Sequence, residues 1–264
     1  MNYIYDRNGT KYEVLSMKEE NNNYYLTVNI NNEPKTYCFD FDSANELMNR
    51  QEEFKMIHDE LEARREIINR RQIRNLVHFT RLENLESILR SGILSKEILI
   101  NGQIEYLEND HYRLDYEDNH ISTSVTFPNY KLLYKFTMDN PDATYVILDI
   151  NPEIVNESLE TIFCQTNAAS SFAVHDKNAK GFENMFKGPK RNKYIPDNYT
   201  SDPQAEIMIP NKITLDNIGA IETGPRENIE TKQMINNMAK VYKKNYYPNS
   251  SMFRPRSDWS DWKC

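Results

Sequence analysis

No stretch of this sequence stays apolar for the length of a bilayer core, and the mean hydropathy is −0.78, so nothing in it reads as a membrane span. The opening residues, Met1 to Arg7, lack the basic-then-apolar order of a secretory leader. Cysteine is scarce. Cys38, Cys164 and Cys264 are scattered and odd in number, which suggests neither a disulfide framework nor a zinc site. A reducing cytoplasm is therefore the expected compartment. No Gly-x-Gly-x-x-Gly follows a strand, which argues against a Rossmann dehydrogenase, and there is no P-loop. A Gly-x-Ser-x-Gly nucleophile elbow is missing too. His111, His120 and His175 have no paired ligand spacing, so they read as surface or loop histidines and no metal is expected.

What is present fits a globular chain. The 264 residues are 39% hydrophobic and 27% charged, enough for one large domain or two modest ones. The net charge of −8 argues against non-specific binding along duplex DNA. The basic residues are not spread evenly, however. Lys187, Lys190, Arg191 and Lys193 cluster beside Tyr194 and Tyr199. Lys240, Lys243, Lys244, Arg254 and Arg256 cluster beside Tyr246, Tyr247, Trp259 and Trp262. Cations interleaved with aromatics suit single-stranded nucleic acid, where phosphates pair and bases stack. They equally suit a solvated face with a docked tail.

Residues 1–72 read as a small β-rich accessory domain with a connecting helix. Tyr12 to Met17, Tyr24 to Ile30 and Thr36 to Phe41 are strands, separated by the turn-like Asn21-Asn22-Asn23 and Asn31-Asn32-Glu33. Asp42 or Ser43 then caps one long helix reaching about Arg71, with Leu47, Phe54, Ile57, Leu61 and Ile68 as a partial apolar stripe. Residues 73–264 form the second domain. Strands are expected at Ile121 to Phe127, Thr144 to Ile150 and Ile218 to Glu222. A helix starts at Pro128, a short one lies in Pro152 to Ser158, and another spans Glu227 to Lys244. Residues 101–119 and 165–200 read as loops, and the last twenty as an irregular tail.

Two stretches carry chemistry. In Gln204-Ala205-Glu206-Ile207-Met208-Ile209-Pro210 a single carboxylate opens an apolar strand that a proline closes. Glu206 thus stands at a strand mouth, either as a gatekeeper charge or as a group that binds a sugar hydroxyl and stabilises a cation. Upstream, Leu76 to Phe79 is a short strand, and Thr80 with Glu83 has the spacing of a capping box that would start a helix. Leu85, Ile88 and Leu89 form its apolar face and Gly92 its left-handed C-cap. His78 then ends a strand and Thr80 opens a helix, a place suited to polar ligands; the bland alternative is a buried histidine beside an ordinary cap.

The order of these motifs resembles the DarT family. The residues that carry the resemblance are His78-Phe79-Thr80, Asn84-Leu85, Ile88-Leu89, Gly92-Ile93-Leu94 and Gln204-Ala205-Glu206-Ile207. Between them lie Asp110 to Asp115, Ile121 to Tyr130, Tyr145 to Pro152 and Thr166-Asn167-Ala168-Ala169. The resemblance implies an α+β fold: a split β-sheet core of ADP-ribosyltransferase type with flanking helices, preceded by the β-rich unit and long helix. It implies a toxin of a toxin–antitoxin system that moves ADP-ribose from NAD, its co-substrate, to a base in single-stranded DNA. It also implies a cognate antitoxin that removes or blocks ADP-ribose. On this resemblance Glu206 is catalytic, and His78, Phe79, Thr80, Asn84, Arg113 and Ser122 hold NAD. Gln204, Asn129, Tyr130, Asn167, Lys190 and Arg191 meet the acceptor. The better-known branch has a Pro-Arg-Ser-Pro-type segment where this chain reads Phe127-Pro128-Asn129-Tyr130-Lys131. That departure leaves thymine and guanine both open as targets, and leaves Lys131 as the catalytic cation. Transfer to RNA or protein, or a degenerate module that only binds NAD or nucleic acid, are the alternatives.

Overall fold

Alternation of side chains builds the first part of the chain. Four strands, β1 (Tyr3–Tyr5), β2 (Lys11–Glu20), β3 (Asn23–Ile30) and β4 (Glu33–Asp40), form an antiparallel meander in that order. Tyr12 and Val14 of β2 pack inward with Ile4, Leu26 and Val28, while Lys11, Glu13 and Leu15 stay exposed. Asn21-Asn22 and Asn31-Asn32 all take positive φ, between 53° and 65°, which asparagine tolerates and tight hairpins require. Asp40, not Asp42 or Ser43, caps the next helix by accepting from Ser43 N at 2.8 Å. The expected single helix is two: α1 (Phe41–Asn49) and α2 (Gln51–Arg71), separated at Arg50, whose backbone leaves helical geometry.

The structure is a computed structural model that describes residues 3–107, 117–189, 191 and 193–262. It divides into two units, Met1–Arg65 and Glu66–Cys264, with the division inside α2. In the second unit the chain runs through β5 (Leu76–Arg81), α3 (Leu85–Ser91), β6 (Ile93–Leu94), α4 (Lys96–Asn101) and β7 (His120–Val125). It continues with α5 (Tyr130–Asp139), β8 (Tyr145–Ile150), β9 (Ile162–Cys164), β10 (His175–Asp176) and α6 (Ala179–Asn184). It ends with β11 (Glu206–Pro210), β12 (Lys212–Ile213), β13 (Ile218–Thr223), α7 (Ile229–Val241) and β14 (Asn245–Tyr247). Eight strands form one sheet in the order β10-β9-β11-β7-β5-β8-β13-β14, and β6 pairs with β12 apart from it. The fold is α+β. Val77, Leu133, Phe136, Tyr145 and Ile147 pack α5 onto one sheet face.

The sheet has a seam at its centre. β5 pairs with β8 along its whole length, from Leu76↔Ile150 to Arg81↔Tyr145. It pairs with β7 only at Leu76↔Val125 and Val77↔Ser124. Beyond Val77 the ladder to β7 stops and the sheet splits.

The same long pairing overturns the capping box at Thr80. Thr80 lies inside β5, 4% exposed, and the ladder runs on until Leu82 N donates to Thr144 O at 2.9 Å. A short 3₁₀ turn, Leu82–Asn84, intervenes before α3. Backbone pairing on a central strand outweighs a local cap worth about 1 kcal/mol. Gly92 does close α3 with φ 80°, where a Cβ would meet Ile213 O at 2.3 Å. Pro128 precedes α5 instead of opening it, since Asn129 is the N-cap.

Candidate active site

The split between β5 and β7 opens into a cleft of about 380 Å³, lined by His78, Phe79, Thr80, Asn84, Ser122 and Glu206 among others. His78 reaches across the gap. Its Nδ1 lies 2.9 Å from the backbone carbonyl oxygen of Ser122. A carbonyl only accepts, so Nδ1 carries a proton in this contact. The side chain thereby bridges the two strands where their backbone ladder has ended. One residue pair further along β5, Asn84 Nδ2 donates to Thr80 Oγ1 at 3.1 Å and to Leu107 O at 2.9 Å, and Asn84 Oδ1 accepts from Leu107 N. Asn84 thus ties the 3₁₀ turn to the segment after α4 and closes that side of the cleft.

Glu206 enters the same cleft from β11. Its pairing places it opposite Cys164 of β9, one register step before Ile207 meets Thr123 of β7. The carboxylate is 6% exposed and both oxygens are engaged. Ser122 Oγ donates to Oε1 at 2.8 Å, and the backbone N–H of Ala168 donates to Oε2 at 2.7 Å. Fixed donors on both oxygens hold the group in one orientation, which a preorganised electrostatic site requires. Ala168 is itself held from behind, since His175 Nε2 donates to its carbonyl at 3.1 Å. Glu117 places one oxygen 3.5 Å from His175 Nδ1 and the other 3.2 Å from His120 Nδ1. His120 is 3% exposed on β7, so its reading as a surface or loop residue is corrected. Glu117 was not singled out by the sequence, where it sits in an acidic, aperiodic stretch. Among the described residues no three His, Cys, Asp or Glu side chains gather as a metal site.

Asn129 supplies an unpaired donor. It is 1% exposed, its Oδ1 accepts from Leu132 N at 3.2 Å, and its own N–H bonds Ser124 Oγ. Its Nδ2 is buried with no partner, and the residue lines the cleft. Phe79, Leu132 and Phe136 give that part of the cleft apolar walls. Asn167 also lines it.

Other expected site residues lie elsewhere. Gln204, Tyr130, Lys131 and Arg191 do not line the cleft. Gln204 is half-buried in the turn before β11, where its N–H bonds Asp202 Oδ1 at 2.8 Å. Arg191 is turned onto its own loop, donating to the carbonyls of Tyr199 and Pro196. Burial among Arg71 and other cations holds its pKa below the usual arginine value. Arg113 and Lys190 fall outside the described residues.

A model of the DarT family, described as ssDNA thymidine ADP-ribosyltransferase, matches residues 77–254, well over half of the chain. The chain belongs to the DarT family. Several solved DarT structures are similar to the chain. One is Thermus sp. 2.9 DarT in complex with carba-NAD+, at TM-score 0.51 and 12% identity, covering 70% of this chain and 99% of that one. Another is Thermosipho africanus DarTG in complex with ADP-ribose, at TM-score 0.48 and 18% identity. That match covers 68% of this chain and only 51% of the DarTG chain. Thermus sp. 2.9 DarT in complex with ADP-ribosylated ssDNA matches at TM-score 0.47 and 12% identity, covering 69% and 97%. No curated protein matches the sequence. DarT proteins are ADP-ribosyltransferases, enzymes whose donor is NAD. The segment that departs from the better-known DarT branch is now located. Asn129 caps α5, Lys131 lies half-buried in the first turn of that helix, and among the described residues the lysine that lines the cleft is Lys96.

Proposed function

We propose that this protein transfers ADP-ribose from NAD to a nucleobase, thymine or guanine, in single-stranded DNA. The observation that carries the reading is Glu206, fixed on both oxygens at the mouth of a split sheet whose opposite edge presents His78 and Thr80. Family membership supplies the acceptor class. The cleft fits the reactive half of NAD. Phe79, Leu132 and Phe136 offer apolar surface to a nicotinamide ring, and the unpaired Asn129 Nδ2 offers a donor to its carboxamide oxygen.

The chemistry required is cleavage of the nicotinamide–ribose bond through a transition state resembling an oxocarbenium ion. Glu206 accepts a ribose hydroxyl and places negative charge beside the developing cation. It also assists removal of the proton from the attacking base nitrogen. His78 and Thr80 hold the ribose side, and Asn84 keeps the cleft wall in place. Gln204, two residues before Glu206 and outside the cleft that takes NAD, is the residue assigned to the acceptor. As a base-modifying enzyme the protein acts as a toxin in the cytoplasm. Its partner is an antitoxin that blocks it or removes the ADP-ribose.

The test uses radiolabelled NAD incubated with separate pools of single-stranded DNA, RNA and protein. Label on DNA, lost in Glu206→Gln, supports the proposal. Label on protein alone would overturn the DNA acceptor, and nicotinamide release with no label anywhere would reduce the protein to a glycohydrolase.

A further inference from the structure

A buried ion pair lies just past the end of the family match. Arg256 is 1% exposed, and its guanidinium makes a bidentate pair with Asp258: Nε to Oδ1 and Nη2 to Oδ2, both at 2.6 Å. Its third nitrogen, Nη1, donates to Thr200 Oγ1 at 3.4 Å, and its face lies 5.3 Å from the ring centre of Tyr199. Thr200 is buried and donates in turn to Asp202 O at 2.7 Å. The same carbonyl accepts from Ala205 N at 3.1 Å. A chain of hydrogen bonds therefore runs from Arg256 through Thr200 and Asp202 to the residue next to Glu206. Gln204 is tied to the same turn by its N–H on Asp202 Oδ1. Tyr199 is wedged between Arg256 and Phe127, whose ring centre is 5.8 Å away.

Removing two charges from water carries a large desolvation cost, and an apolar pair of similar size often serves stability as well or better. A bidentate guanidinium does bring directional donors, which an apolar pair lacks. Here the spare donor is spent on the loop that delivers Gln204. We propose that Arg256, locked by Asp258, is a positioning residue for ADP-ribosyl transfer. It fixes residues 199–205 so that Gln204 meets the acceptor base in register with Glu206. The proposal rests on the reading of the protein as a DNA ADP-ribosyltransferase. Glu206 has its own anchors in Ser122 and Ala168, so cleavage of NAD does not depend on the clamp; capture of the acceptor does.

The experiment compares wild type with the paired variant Arg256→Met/Asp258→Leu, which removes both charges together, and with Thr200→Val, which leaves the ion pair intact. Three quantities are read: melting temperature, nicotinamide release without DNA, and kcat and KM for transfer to a single-stranded oligonucleotide. Both variants should fold and release nicotinamide at close to the wild-type rate. Their transfer should fall roughly ten- to a hundredfold, the scale of a misplaced reacting group. A raised KM for DNA should accompany the fall. A folded variant that transfers at the wild-type rate overturns the proposal. So does one in which release and transfer fall together, since that is a structural effect. If the paired variant does not fold, Thr200→Val decides between the same outcomes. If wild type labels no DNA, the acceptor reading fails, and the ratio of transfer to release is then read on whichever pool takes the label.

Discussion

Ser122 Oγ and Ala168 N approach the two oxygens of Glu206 from different strands and loops, at 2.8 and 2.7 Å. The consequence for Glu206→Gln follows from donor counting. Ala168 can only donate, so the amide must turn its oxygen there and its NH₂ toward Ser122, whose hydroxyl can rotate to accept. The fold and NAD affinity should survive, the latter within a few-fold. Turnover should fall by roughly two to four orders of magnitude, as expected for loss of a preorganised charge. A kcat loss with little change in KM marks an interaction made in the transition state. Wild-type turnover in purified Glu206→Gln would remove the catalytic assignment.

Ser122→Ala removes one of those two anchors and leaves the charge. The carboxylate keeps Ala168 N but gains rotational freedom. Transfer should drop about tenfold, less than for Glu206→Gln, because one donor of this kind is worth on the order of 1–3 kcal/mol. Isothermal titration should show nearly unchanged NAD affinity. A loss as large as that of Glu206→Gln would mean that Ser122 touches substrate directly.

How much of this was legible depended on whether the cause was local. Strands β2, β3, β7, β8, β11 and β13 were readable because their apolar runs and turn asparagines are local signals. The family resemblance brought His78, Thr80, Ser122 and Glu206 into view, and they do share one cleft. The capping box at Thr80 misled because its decisive competitor, β8, is remote in sequence. Strands β6, β9, β10, β12 and β14 are two or three residues long and exist only through their partners. Asn129 stood out in the sequence and lines the cleft, but its place as the N-cap of α5 was hidden behind Pro128. Lys131 read as the cation because it replaces an arginine by position, whereas Lys96 reaches the cleft from a helix the sequence did not reveal.

His78 bridges the split in the sheet, so His78→Ala loses two things at once: a ligand contact and the link to Ser122 O. NAD affinity should weaken by about tenfold or more, consistent with loss of a hydrogen bond to a polar ligand. The melting temperature should fall only slightly, because the pairing of β5 with β8 is untouched. A large drop in melting temperature with unchanged NAD affinity would make His78 a core residue instead.

Gly92→Ala tests the corner that closes α3. The backbone sits at φ 80°, and a methyl group would stand 2.3 Å from Ile213 O, in the β6–β12 pair. Both strain and clash oppose the change, so a loss of about 2 kcal/mol or more is expected in chemical denaturation. A variant as stable as wild type would show that the β6–β12 pair can shift to make room.

The last prediction concerns pH and lies away from the cleft. Glu222 on β13 and Asp149 on β8 are neighbouring carboxyls on adjacent antiparallel strands. Burial pushes the Glu222 carboxyl up to about 7, with a partial offset from the Ser250 side chain and a further push from the negative charge of Asp149. Burial also raises Asp149, against the Asn75 Nδ2 donor at 2.9 Å. Glu222 therefore binds a proton in the folded protein at pH values where the unfolded chain has released it. Its contribution to stability is fully present below about pH 4.5, the ordinary glutamate value, and is lost as pH rises through about 7. The loss is on the order of a few kcal/mol. Glu222→Gln, an uncharged isostere of the protonated acid, should abolish that part of the dependence and raise the melting temperature on the alkaline side. Melting curves of both proteins, taken from roughly pH 5 to pH 9, should diverge as pH rises. Parallel curves would mean that Glu222 ionises in place at no cost, and that solvent or a rearranged Ser250 compensates its charge.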